Sequence, residues 1–191
     1  GNPNALPYYF TTKSLIENEK TADDVRRRIE SALKNFGKDK IHFFHTWAIM
    51  DLNQYHEIMK KGGPYQGALQ AKKDGLIEHL VFSTHAGGEE VEQIINDDVF
   101  EGVLLGYNII NFPRRERGLM AATRKKIGVA IMNPLGGGLI PNNPEYFSFL
   151  KDEKRPGLTQ IQAALSFVMG HSGVSTALSG MKKKEEIDEN V

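Results

Sequence analysis

Short apolar runs alternate with amphipathic, charge-rich segments along this 191-residue chain. The apolar runs have the length of strands, and the segments between them have the length and periodicity of helices. Polar residues repeatedly follow the apolar runs, among them Lys13, His45, Asn108 and Asn133. Strands that alternate with helices form parallel sheets, whose strand ends converge on one shared face. The pattern therefore predicts part of a parallel βα barrel with its functional site at that face.

Hydrophobic periodicity also predicts where the strands and helices lie. Six strands are predicted over residues 8–12, 41–45, 77–82, 102–106, 128–132 and 174–178. Helices are predicted over residues 22–36, 64–73, 89–95, 114–126, 159–169 and 182–191, with shorter helical pieces near 54–61 and 145–150. Residues 133–157 break the alternation with Gly136-Gly137-Gly138, which indicates a long functional loop.

A complete barrel of this type has eight strands and about 250 residues. The expected fold class is therefore an α/β, TIM-type parallel (β/α)8 barrel that is incomplete, with about six of its eight βα units present. No linker or internal repeat divides the sequence, so residues 1–191 are predicted to form a single partial barrel domain. An open sheet leaves unpaired edges, which would favour aggregation or pairing with another chain.

Composition excludes several classes of function. Twenty-four basic residues balance 24 acidic ones, which argues against a partner such as nucleic acid or an anionic membrane surface. The basic residues at 114–117 and 124–126 are accordingly interpreted as a solvated helix face. The absence of cysteine excludes thiolate metal sites, and no metal site is predicted. The apolar runs are too short for a membrane span and no signal peptide is visible, so we expect a cytoplasmic protein.

Six segments resemble the aldo-keto reductase family, in the order and spacing of that family from its third strand onward. They are YYFTTK at 8–13, RRIESALKNFGKDKIHFFH at 27–45, KKDGLIEHLVFSTH at 72–85, GYNIINFPRRERG at 106–118, NPLGGGLI at 133–140 and SGMKKKEEIDEN at 179–190. The chain is most similar to bacterial members that often carry a ferredoxin-like C-terminal extension. The resemblance implies an NAD(P)H-dependent oxidoreductase that interconverts a small-molecule aldehyde or ketone and an alcohol by hydride transfer.

The resemblance implies that Lys13 and His45 are catalytic. In the family a tyrosine donates a proton to the carbonyl oxygen, a lysine paired to an aspartate lowers the pKa of that tyrosine, and a histidine orients the substrate oxygen. The aspartate and the tyrosine lie upstream of the third strand, so the chain is expected to be truncated, to lack both and to be inactive alone. Tyr8 and Tyr9 lie within a predicted strand and are not assigned the role. His42 is interpreted as structural.

The resemblance implies NADP as the cofactor, with NAD as the alternative. Hydroxyls at Ser83 and Thr84 would bind the nicotinamide carboxamide, although capping a helix or a turn is the alternative role. Met132 would pack against the nicotinamide ring. The other residues implied to bind the cofactor are Tyr107 and Asn108 after the fourth strand, Asn133, Leu135 and Gly136 beside the pyrophosphate, Gly180, Lys182 and Lys183 near the adenosine phosphate, and Glu189 and Asn190 at the adenine. For the lysines, a solvated basic face is equally consistent with the sequence.

Three interpretations of function stay open. The first is a carbonyl reductase or alcohol dehydrogenase of which this chain is a part. The second is a catalytically silent relative that binds a nicotinamide nucleotide without turnover. The third is an interaction module that pairs with itself, as a homo-oligomer, or with another chain through the open barrel edges.

Overall fold

The described residues of the computed structural model are 8–151, 156–181 and 183–190. They contain six strands, at Thr11–Leu15 (β1), Ile41–Ile49 (β2), Ile77–Thr84 (β3), Gly102–Gly106 (β4), Gly128–Met132 (β5) and Thr176–Ala177 (β6). The helices are Ala22–Phe36 (α1), Leu52–Met59 (α2), Pro64–Lys73 (α3), Gly88–Asn96 (α4), Phe112–Lys125 (α5), Leu139–Asn142 (α6), Gln160–Met169 (α7) and Lys184–Asn190 (α8). Short 3-10 turns lie at Gly136–Gly138 and Ser148–Leu150. The predicted alternation of strands and helices is thus confirmed.

The first of two compact units comprises residues 8–84 and 100–102 among those described. Its strands β1, β2 and β3 are adjacent in that order and parallel, with Lys13 opposite His45 and His45 opposite Val81. Helices α1 and α3 cover one face of these strands. The core between them is formed by Val25, Ile29, Leu33, Ile41, Phe44, Ala68, Ala71, Ile77 and Leu80.

Helix α1 shows how the local sequence sets these elements. The Thr21 hydroxyl accepts the backbone N–H of Asp24 at 3.2 Å, and the Asp24 carboxylate accepts the N–H of Thr21 at 3.0 Å, which forms a capping box. Gly37, with φ of 58°, ends the helix in the left-handed conformation. A Cβ at Gly67 of α3 would lie 2.3 Å from the carbonyl oxygen of Ala22, so glycine allows the two helices to approach closely.

The second unit comprises residues 85–99 and the described residues from 103 onward. Strands β4, β5 and β6 are adjacent in that order, and Ala130 of β5 lies opposite Thr176 of β6 in parallel pairing. Helices α4 and α5 pack together, and their exposed faces are joined by ion pairs from Arg117 to Glu89 at 2.7 Å and from Arg124 to Glu92 at 2.6 Å. These pairs agree with the predicted solvated face on α5.

The first three strands run further toward their C-terminal ends than the sequence predicts. Strand β1 was expected at residues 8–12 but continues to Leu15, because its backbone stays paired with β2 as far as Trp47. Lys13 therefore lies inside β1 and not after its end. Strand β3 extends through Ser83 and Thr84, which places both predicted cofactor residues within the strand.

The C-terminal elements are shorter than the sequence predicts. Strand β6 spans Thr176–Ala177, although backbone hydrogen bonds from Ser175 to Val129 and from Leu178 to Ile131 extend its contact with β5. Helix α8 begins at Lys184, two residues later than expected. None of the helices within the described residues combines the length and apolarity that a membrane crossing requires.

Candidate functional site

In the first unit, the structure places the two predicted catalytic side chains next to each other. Lys13 and His45 are register partners on adjacent parallel strands, so their side chains project from the same face of the sheet. Burial, and secondly the charge of Lys13, lower the pKa of His45 from its usual 6.5 to about 4. The Nδ1 atom of His45 is buried and has no hydrogen-bond partner among the described residues. At neutral pH this imidazole is therefore uncharged.

Ser83 lies on the same face of the sheet as this pair. Val81 is the register partner of His45, and Ser83 follows it by two residues, which returns the side chain to that face near the C-terminal end of β3. The structure thus brings together three of the predicted site residues: Lys13, His45 and Ser83.

The buried hydroxyls of Ser83 and Thr84 both contact the end of β2. Ser83 Oγ accepts the backbone N–H of Ala48 at 3.0 Å, and Thr84 Oγ1 donates to the carbonyl of Ile49 at 2.7 Å. Between Thr46 and Ile49 the register of β2 shifts, and Ala48 adopts a φ of 56° that is rare for residues with a Cβ. Both hydroxyls therefore stabilise a bulge next to His45, which is a role that the sequence did not indicate.

In the second unit, Tyr107 is part of the core. Its ring is fully buried and stacks on Phe167 with 5.9 Å between ring centroids, and its hydroxyl lies 3.0 Å from Nε2 of His171. Burial, and secondly the charge of Glu116, raise the pKa of Tyr107 to about 12, so the phenol stays protonated. The polar end of this predicted cofactor residue is engaged inside the protein. Sequence reasoning missed His171, because a single histidine in a loop carries no local signal.

Asn108 forms a network of hydrogen bonds at the end of β4. Its amide nitrogen donates to the carbonyl of Asn133 at 2.9 Å, and its Oδ1 accepts the backbone N–H groups of Ile110 at 2.9 Å and Asn111 at 3.0 Å. In turn, the Oδ1 atom of Asn111 accepts the backbone N–H of Asn108. The hydrogen bond from Asn108 to Asn133 thereby joins the segments that follow β4 and β5.

The segment after β5 begins with Asn133 and continues through three glycines in the left-handed conformation. Asn133 has a φ of 56°, and Gly136, Gly137 and Gly138 have φ of 66°, 67° and 94°. A pocket of about 250 Å³ lies beside it. The pocket is lined by His85, Gly106, Asn108, Ile110, Asn111, Asn133, Gly136, Gly137 and Leu139. The predicted residues Asn108, Asn133 and Gly136 therefore share one cavity, and Met132 and Leu135 are half-buried neighbours in the chain.

Sequence reasoning did not assign His85 or Arg115 to a site. His85 lines this pocket, and Arg115 contacts two of the lining residues. Nη1 of Arg115 donates to the carbonyl of Gly106 and Nη2 donates to the carbonyl of His85, each at 2.8 Å. Burial, and secondly the charge of Arg115, lower the pKa of His85. Arg115 had been assigned to a solvated face, which is wrong for this residue. It lies four residues before the buried Leu119 on α5, and this helical spacing is the signal that could have identified it.

The predicted adenosine-binding residues follow β6 in the chain. Gly180 and Lys183 are exposed, and the backbone N–H of Lys183 donates to the Glu186 carboxylate at 3.3 Å. Lys182 lies outside the described residues. Glu189 and Asn190 belong to α8, but their side chains also lie outside the described part of the chain. Within the described residues, no group of three or more His, Asp or Glu side chains could hold a metal ion.

Comparisons with known proteins agree with this architecture. A model of the Aldo/keto reductase family matches residues 10–191. An aldo-keto reductase from Bacillus halodurans in its holo form has a TM-score of 0.76 at 13% identity, covering 95% of this chain and 64% of that one. A thermostable aldo-keto reductase in complex with the inhibitor epalrestat has a TM-score of 0.71 at 17% identity, with the same coverage of 95% and 64%. The comparison with curated protein sequences finds no match.

These structural similarities confirm the predicted fold class, a parallel α/β barrel that is incomplete over the length of this chain. At such low identities they bear on the fold alone. The chain spans 64% of the length of both solved relatives.

Proposed function

Because this chain belongs to the aldo/keto reductase family, we propose that it is part of an oxidoreductase that interconverts a small-molecule carbonyl and its alcohol by hydride transfer. The proposed cofactor is NADP, with NAD as the alternative. The observation that carries the proposal is the pairing of Lys13 with His45 on adjacent strands, since these are the two residues that the family resemblance singles out as catalytic.

The residues present fit a nicotinamide nucleotide. The left-handed glycines Gly136 and Gly137 line the 250 Å³ pocket, and a Cβ at Gly137 would meet nothing within 4 Å, so a phosphate group can approach the backbone there. Asn133 and Gly136 would lie nearest the pyrophosphate, and Lys183 would pair with an adenosine phosphate. When bound, the nicotinamide supplies the carbon that gives or takes the hydride. These assignments support the proposal through shape and hydrogen-bonding capacity.

In this proposal His45 orients the substrate oxygen. A neutral imidazole presents one N–H donor and one acceptor nitrogen, and the low pKa of His45, about 4, keeps it in that form at neutral pH. Lys13 has the complementary role, because an ammonium group stabilises negative charge that develops on a nearby oxygen.

Within these 191 residues we assign no group that donates the proton to the carbonyl oxygen. Tyr107 does not suit the task, because it is buried with a pKa of about 12 and its hydroxyl contacts His171. General acid catalysis contributes roughly 100- to 10,000-fold to rates. We therefore propose that the chain by itself binds nucleotide without measurable turnover.

The edge of β1 favours this proposal over an interaction module. The carbonyl of Phe10 accepts the N–H of His42, so by alternation the backbone groups of Lys13 and Leu15 point away from β2. Arg28 Nε donates to the carbonyl of Lys13 at 3.3 Å, and the N–H of Leu15 donates to the carboxylate of Glu19. Side chains that engage an edge strand hinder the addition of another strand.

The test is a titration of the purified chain with NADPH and NADH, followed by tryptophan fluorescence and by calorimetry. Trp47 is the only tryptophan and lies two residues after His45 in the sequence. We expect saturable binding at a stoichiometry of about one, no turnover with aldehydes, and a mass by light scattering that does not change with concentration. A flat response in both titrations, together with a mass that grows with concentration, would support the interaction module instead.

A matched pair of variants tests the phosphate assignment. Lys183→Gln removes an exposed charge at the proposed adenosine site, and Lys73→Gln removes an exposed charge on α3. We expect Lys183→Gln to weaken NADPH binding and to leave NADH binding unchanged, whereas Lys73→Gln changes neither. Equal effects on the two nucleotides would contradict a role in binding the phosphate.

A further inference from the structure

The backbone carbonyl of Asn133 anchors the loop at residues 133–138, which borders the pocket. It accepts two hydrogen bonds, one from the amide nitrogen of Asn108 and one from the backbone N–H of Gly136, each at 2.9 Å. Asn133 also has the first positive φ in the loop at residues 133–138, which continues with three left-handed glycines. Glycines lose much conformational entropy when they are ordered, so such a loop needs a fixed starting point.

Asn108 has little hydrogen-bonding capacity left for a ligand. A side-chain amide offers two donors and an acceptor oxygen with two lone pairs. Both lone pairs of Asn108 are used by the N–H groups of Ile110 and Asn111, and one donor is used by Asn133. The residue is only 4% exposed, although it borders the pocket.

A second contact joins the same two segments. A Cβ built on Gly136 would lie 3.0 Å from Cδ1 of Ile110, so the Ile110 side chain packs directly against the glycine loop. The turn at residues 108–111 therefore supports the loop through one hydrogen bond and one apolar contact. Of these two, only the hydrogen bond fixes the direction of a backbone carbonyl.

We infer that Asn108 is a positioning residue, which holds the loop at residues 133–138 in its binding conformation before any nucleotide arrives. This inference rests on the proposed function, because it assigns the loop the nucleotide as its ligand. It departs from the expectation that Asn108 itself touches the cofactor. A loop held in advance binds more tightly, since less ordering is required on binding.

The test compares Asn108→Asp with Asn111→Asp in the absence of nucleotide. Asn108→Asp keeps both acceptor contacts and the shape of the side chain but loses the donor to Asn133. Asn111→Asp adds the same charge to the same pocket and keeps the acceptor oxygen that binds the N–H of Asn108. The measurement is amide hydrogen exchange at pH 7, read at Gly136 by NMR.

We expect exchange at Gly136 to become about tenfold faster in Asn108→Asp, the loss typical of one hydrogen bond, and to stay unchanged in Asn111→Asp. Unchanged exchange in Asn108→Asp would overturn the inference, because the Asn108 donor would then not hold the loop. Equal acceleration in both variants would overturn it too, because the introduced charge would then be the cause. If the unmodified protein binds neither NADPH nor NADH, the proposed function is refuted. The support of the loop by Asn108 would still be tested, because the exchange experiment needs no nucleotide.

A second measurement on the unmodified protein covers the case in which Asn108→Asp does not fold. One proton of the Asn108 side-chain amide should exchange slowly in the ligand-free protein, and its chemical shift should change little when NADPH is added. Fast exchange of both protons, or a shift change larger than that of the Gly136 N–H, would overturn the inference.

Discussion

Acidification is expected to destabilise the fold through His45. Burial, and secondly the Lys13 charge, lower the pKa of His45 from 6.5 to about 4, whereas in the unfolded chain it keeps its usual value. Between these two values the unfolded state binds a proton that the folded state does not. The stability associated with a neutral His45 is thus fully present above pH 6.5 and is lost as the pH falls toward 4. Since each pKa unit corresponds to about 1.4 kcal/mol, the loss amounts to about 3 kcal/mol.

Urea denaturation between pH 4 and pH 7.5 measures this effect when the protein is compared with His45→Gln. The glutamine does not titrate, whereas the other five histidines and all carboxylates are common to both proteins. We expect the unmodified protein to lose about 3 kcal/mol more than the variant over this range. Parallel stability curves would refute the reasoning. An NMR titration gives an independent check, because Lys13→Gln should raise the pKa of His45 while burial still holds it below 6.5.

Three further substitutions test local packing and strain in the fold, each by its free energy of unfolding in urea. Ala48→Gly relieves a φ of 56° and should stabilise the protein by up to about 1 kcal/mol, whereas a loss of stability would contradict strain at the bulge. Tyr107→Phe leaves His171 without its hydroxyl partner and should cost about 1 kcal/mol, so an unchanged value would show that this contact is not stabilising. Gly67→Ala places a Cβ 2.3 Å from the carbonyl of Ala22 and should cost about 2 kcal/mol, unless α1 and α3 can separate freely.

The sequence predicts elements well where the determining contacts are local. Helix α1 was expected to begin after Thr21 and to end at Gly37, and its capping box and left-handed glycine place both ends there. Other contacts in the second unit join residues that are distant in sequence. Arg115 reaches back 30 residues to the carbonyl of His85, and Tyr107 meets His171 across 64 residues. Hydrophobic periodicity and local motifs do not show which residues this far apart come into contact.

The extent of the first three strands was underestimated for a related reason. The prediction ended β2 at His45, although Trp47 and Ile49 continue an alternation with the smaller residues Thr46 and Ala48. The strand continues there because side chains of β3 satisfy the backbone of the bulge, at the N–H of Ala48 and the carbonyl of Ile49. The same two hydroxyls, Ser83 and Thr84, were predicted to bind the cofactor. Ser83 is fully buried, so its hydroxyl supports the bulge and does not border an open ligand site in this conformation.

The pairing of Lys13 with His45 depends on a single register between β1 and β2. A shift by one residue would turn Lys13 to the opposite face of the sheet. Two side-chain contacts oppose such a shift: Nδ1 of His42 accepts the N–H of Phe10 at 2.8 Å, and Thr11 Oγ1 donates to the carbonyl of Phe43 at 2.9 Å. His42, interpreted from the sequence as structural, therefore links the two strands near their start. Because one register holds for a whole strand pair, these two contacts near the start of the strands help to place Lys13 opposite His45.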